Sequence, residues 1–111
     1  MPMDEPTLQL DQQADGREFR VSLESQVEIA LPENPTTGYR WYLGENGPAF
    51  ALTQDRFDAP VGPPGKGGSR HWTFRAVQAG KAEIRAVYRR SWESEGTQSR
   101  SFRVVVTVLS K

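Results

Sequence analysis

A chain of 111 residues is the size of one domain with one core, since domains cluster at about 100–150 residues. Fourteen basic and fourteen acidic side chains cancel, with a sequence pI near 6.6, which excludes a global field drawing the protein onto nucleic acid or an anionic membrane. The lack of cysteine excludes disulfides, thiolate metal sites and a nucleophilic thiol.

Residues 1–5 lack the basic start and apolar stretch of a signal peptide. No apolar run approaches the ~20 residues that span a bilayer. A soluble chain with no membrane partner is expected. Its localisation is open: periplasmic or secreted if a leader was removed, cytoplasmic otherwise. Residues 1–16 read as a polar N-terminal segment, with Leu8 and Leu10 marking a candidate edge strand, and residues 17–111 as the domain proper.

From there period-two alternation dominates, and recurring glycine and proline break any helical spacing. Phe19, Val21 and Leu23 alternate with Arg20 and Ser22, then Val27, Ile29 and Leu31 with Glu28 and Ala30. With Glu24 and Ser25 between them, these are a strand pair or one bent strand. Tyr39–Leu43 and residues 50–57 are weaker strands, separated by the turn-rich Gly44-Glu45-Asn46-Gly47-Pro48. Trp72, Phe74 and Ala76 share a face, as do Ala82, Ile84, Ala86 and Tyr88 beyond an Ala79-Gly80 turn, which predicts a hairpin. Arg100–Leu109 is apolar on both faces and is expected to be central and covered on both sides. Seven to eight short antiparallel strands predict an all-β, immunoglobulin-like β-sandwich without its disulfide.

Antiparallel succession puts alternate connections at the same end. The long or unusual connections, 32–38, 58–69 and 90–99, are alternate ones, and loops gathered on a rigid scaffold are the layout of a binding surface.

The first of them contains Asn34-Pro35-Thr36-Thr37-Gly38-Tyr39. Pro35 holds its own φ and keeps Asn34 extended, while Gly38 can take the positive φ that ends a turn. A stiffened tip with two threonines has little entropy to lose on docking. The second contains Gly65-Lys66-Gly67-Gly68. Phosphate cradles precede a helix, whereas Trp72 and Phe74 continue here as strand, so nucleotide binding is rejected and a loop able to lie against another chain is kept. The third contains Arg90-Ser91-Trp92. Trp41 and Trp72 lie in strand patterns and belong to the core, but Trp92 stands among polar residues, and Trp and Arg are enriched at binding hot spots.

Catalytic groups and cofactor sites are not expected. His71 is the single histidine, which makes a metal site or a histidine triad improbable. Glu93 and Glu95 read as a solvated loop face. The arginines 85, 89, 90, 100 and 103 are mildly basic, but without interleaved exposed aromatics beyond Trp92, and with no net charge, they rank low as a nucleic-acid surface.

Taken together, the three motifs resemble those of the chagasin family of cysteine-peptidase inhibitors, which carries NPTTG-F/Y, GxGG and RPW motifs on alternate loops of an immunoglobulin-type sandwich. The first is intact, the second is Gly65-Lys66-Gly67-Gly68, and the third is Arg90-Ser91-Trp92, with serine for proline. The match in order and spacing runs over about residues 17–109. The resemblance implies a reversible, tight-binding inhibitor of papain-like cysteine peptidases, and a monomer is expected. Its first loop enters the cleft, with Thr36 and Thr37 near the catalytic cysteine, and the other two clamp the flanks. The competing reading is an immunoglobulin-like adhesion or carbohydrate-binding module using the same loop end; a small enzyme ranks last.

Overall fold

The computed structural model describes residues 7–59, 67–92 and 100–110. Among these residues eight strands run in chain order: β1 (Thr7–Leu10), β2 (Glu18–Ser22), β3 (Gln26–Glu33), β4 (Tyr39–Leu43), β5 (Phe50–Asp58), β6 (Gly68–Ala76), β7 (Gly80–Arg90) and β8 (Arg100–Leu109). They form two four-stranded sheets, ordered β1-β3-β6-β5 and β2-β8-β7-β4. The chain is thus the expected β-sandwich.

Alternation decides the inner faces. Val27, Ile29 and Leu31 of β3 stand opposite Phe74, Trp72 and Arg70 of β6. Ala82, Ile84 and Ala86 of β7 stand opposite Val106, Val104 and Phe102 of β8. Apart from Arg70, these side chains are buried and belong to one apolar core. Phe50 brings edge strand β5 into it by meeting Phe74 edge-on, with ring centroids 6.2 Å apart.

Three expectations need correction. First, β6 and β7 are not a hairpin: they lie in opposite sheets, and the link between them crosses the sandwich. Val77 N–H donates to Ala49 O at 2.9 Å, so the link is bonded to the β4–β5 connection. A period-two pattern says which face is buried but not which strand is the neighbour, so hairpin and sheet-crossing arch look alike in sequence.

Second, the pairings are antiparallel except at two edges, where β1 runs parallel to β3 and β2 parallel to β8. The chain bends from β2 into β3 at Glu24, whose φ is 74°, and this bend carries it from one sheet to the other. Glu24 N–H donates to Ala76 O and Ala76 N–H to Ser25 O, fixing the corner against β6.

Third, β8 is central, but its second face is covered only in part. Phe102, Val104, Val106 and Val108 are buried, whereas on the outer face Val105 is buried, Thr107 is half-buried and Leu109 is exposed. The described fold has two sheets, and the outer face of β8 opens to solvent at its Leu109 end.

The burial difference between two tryptophans gives a test. Trp72 is 1% exposed and Trp92 72%. Trp72→Ala is expected to lower unfolding stability by about 3–5 kcal/mol, and Trp92→Ala by under about 1 kcal/mol, measured by urea denaturation; equal losses would contradict the packing described.

Candidate functional site

Between β3 and β4 the chain makes one turn of 3-10 helix, Pro35–Thr37. Asn34 is its hub. The Asn34 carbonyl oxygen accepts the Thr37 N–H at 3.2 Å and the Thr37 hydroxyl at 2.7 Å. Its Oδ1 accepts the Thr36 N–H at 3.2 Å and the Thr36 hydroxyl at 2.7 Å, as asparagine commonly does for its own backbone in turns. Both threonine hydroxyls therefore donate into the loop rather than outward. The Asn34 N–H donates to Tyr88 Oη at 3.0 Å, which attaches the loop to β7.

Beneath the turn lies a charged group that the sequence reading missed. Glu33 is 2% exposed. Its Oε1 accepts the Trp41 N–H at 2.9 Å and Arg70 Nε at 3.3 Å, and its Oε2 accepts Arg70 Nη2 at 2.9 Å. Arg70 also donates through Nη1 to Asp55 Oδ1 at 3.0 Å. The hydrogen bond to Glu33, more than any other influence, raises the Arg70 pKa above its ordinary value. Trp41 Nε1 donates to Pro32 O at 2.7 Å, a second tie across the base of the loop. An acid beside a proline at a strand end reads as exposed; the usable signal was that Glu33 continues the inward alternation of Val27, Ile29 and Leu31.

Next to the turn stands a stack of aromatic and cationic groups. Tyr39 and Tyr88 stack at 5.3 Å, and Trp41 and Tyr88 lie 4.9 Å apart. The Arg90 guanidinium is 4.6 Å from the Tyr39 ring centroid and 5.7 Å from that of Trp92, within cation–π range. Arg90 Nε donates to Thr37 O at 3.3 Å. Gly38 has a φ of 84°, and a Cβ built there would come within 2.8 Å of Trp92 Cη2. The glycine thus supplies the positive φ expected of it and also the space that the indole needs.

Of the second motif, Gly65 and Lys66 lie outside the described residues. A Cβ on Gly67 would lie 3.3 Å from both Asn34 Cβ and Glu33 O, and one on Gly68 would lie 2.2 Å from Asp58 O. These two glycines let β6 approach its neighbours, an internal role beside the intermolecular one expected. The structure brings together Asn34, Thr36, Thr37, Gly38, Tyr39, Gly67, Gly68, Arg90 and Trp92, with Ser91 in the turn after β7. The described parts of the three loops thus lie at one end.

The fold is thus a two-sheet sandwich whose loop end holds a pre-bonded turn beside an exposed tryptophan and an arginine. The chain belongs to the chagasin family of peptidase inhibitors, family I42, whose model matches residues 20–106. It is an inhibitor, not an enzyme. It is similar to chagasin of Trypanosoma cruzi, 30% identical over 95 residues that cover 80% of this chain and 86% of that one. Amoebiasin-2 of Entamoeba histolytica is 29% identical over 102 residues, 87% of this chain and 83% of the relative. The crystal structure of a cysteine protease inhibitor from Entamoeba histolytica superposes with a TM-score of 0.86 at 27% identity, covering 98% of this chain and all of that one.

The close approach at Gly68 gives a second test. Gly68→Ala sets a methyl against the Asp58 carbonyl and is expected to cost about 1–3 kcal/mol of stability. A melting temperature equal to the parent's would show that β5 and β6 can separate freely there.

Proposed function

We propose that this protein is a reversible, tight-binding inhibitor of papain-like cysteine peptidases, one chain to one enzyme. Residues 34–39 form the wedge that occupies the active-site cleft. Gly65, Lys66, Gly67 and Gly68 flank it on one side, and Arg90, Ser91 and Trp92 on the other. The observation that carries this reading is the pre-bonded turn: the hydroxyl and amide protons of Thr36 and Thr37 are engaged by Asn34 before any partner arrives. A tip ordered in advance loses little entropy on docking. A 3-10 turn also differs from the extended pose in which a peptidase cleaves, so the wedge fills the groove without serving as substrate.

Serine replaces the family's proline at position 91, and the ring's stiffness is lost there. Arg90 compensates, tied to Thr37 O and lying between the Tyr39 and Trp92 rings. Trp92 is broadly exposed, an apolar anchor of the kind that dominates binding energy.

Titration of papain with the folded protein should abolish activity at one equivalent and recover it on dilution, leaving trypsin and thermolysin untouched; full papain activity under excess protein would sink the proposal. Trp92→Ala should weaken inhibition by roughly 2 kcal/mol. Replacing Thr36 and Thr37 together by glutamate should act mainly through faster dissociation, and a change confined to the association rate would point to steering rather than fit.

A further inference from the structure

We infer that Glu33 and Arg70 are positioning residues for the wedge: their buried pair sets where residues 34–38 stand relative to strands β5 and β6. The inference rests on the inhibitor reading above and deepens it by naming what holds the binding loops in register.

Glu33 is the last residue of β3, and Trp41, whose N–H it accepts, lies in β4 of the opposite sheet. The carboxylate therefore closes the loop across the gap between the sheets. Among the described residues strand β4 is an edge, paired on one side with β7, and the Trp41 N–H takes a side chain as acceptor instead of another strand. Arg70 adds the second direction. It stands in β6, two residues beyond Gly68, and its fork spans Glu33 of β3 and Asp55 of β5. Strands β5 and β6 are the two that carry the second loop. One guanidinium thus joins the base of the wedge to both stems of its neighbour.

A stability role alone accounts poorly for this pair. Charges at 1% and 17% side-chain exposure lose most of their hydration, and replacing such pairs with neutral groups often leaves stability unchanged or higher. What neutral packing does not reproduce is directionality, because a planar guanidinium facing a carboxylate admits few geometries.

The test uses the full chain with the neutral double variant Glu33→Gln/Arg70→Met, which keeps an oxygen acceptor for the Trp41 N–H and leaves no charge unpaired between positions 33 and 70. Two quantities are read: amide hydrogen exchange at Thr36 and Thr37 in the free protein, and the dissociation rate of the papain complex. Both are expected to rise about ten-fold, a loss equivalent to about 1.4 kcal/mol, while exchange at Val104 and Val106 in the core stays at the parent rate. Unchanged exchange at Thr36 and Thr37 overturns the inference, as does faster exchange with unchanged dissociation. If the double variant fails to fold, Glu33→Gln alone is read in the same way. If the parent chain itself does not inhibit papain, the inhibitor reading fails, and the exchange measurement alone decides whether the pair sets the loop.

Discussion

A carboxylate taken out of water must be met by positive charge and hydrogen-bond donors, or it gives up its own charge. Glu33 meets that requirement with groups from both sheets, an arginine on one and a backbone N–H on the other. The rest of the loop end is arranged around this demand. Arg70 must lie on the inner face of β6, which places the register of β6 against β3. Trp41, third in its strand, must lie close enough to donate, which limits the connection to a short turn. Below this level the core is aliphatic and aromatic; above it the inner faces carry Glu33, Arg70, Arg90 and Arg100 among Tyr39, Trp41 and Tyr88. The sandwich thus passes from apolar packing to directional contacts where it begins to present loops.

Directional contacts also explain how an exposed end can be ordered without a large core. Asn34 organises the turn from within, and the Trp92 ring covers Gly38 from outside, with Arg90 between Tyr39 and that ring. Each contact is small, but the groups restrict one another, so less freedom is left to be lost when a partner arrives. A peptidase inhibitor needs this combination: groups exposed enough to be met and fixed enough not to be remodelled into substrate.

Much of this was legible in the sequence, for physical reasons that differ by residue. Strands such as Val27, Ile29 and Leu31 declare their inner face because burial and alternation coincide. Gly38 was legible because a positive φ has few other occupants. Connectivity was not: the links at Glu24 and at 77–79 join opposite sheets, yet each is flanked by the alternation that a hairpin would have. The Asn34 hub was half-hidden, since Pro35 offered a simpler reason for stiffness. Glu33 and Arg70 were hidden altogether, because charged residues default to solvent until their partners are known, and these are separated by 37 positions. Gly68 was read as open backbone, while its neighbour proves to be the carbonyl of Asp58 on the adjacent strand.

The order of the strands also bears on how the chain acquires its shape during synthesis. In the second sheet, β8 lies between β2 and β7, so its two neighbours are made before it and cannot pair with each other. Glu18 waits for Val105 and Gly80 for Val108. The first sheet differs, for all its strands precede position 77. On a ribosome one half of the sandwich can therefore form while the other still lacks its middle strand, with the inner face of the first sheet uncovered. Residues 100–109 close that interval. Until they emerge, the turn at Pro35–Thr37 lacks the full support of the second sheet.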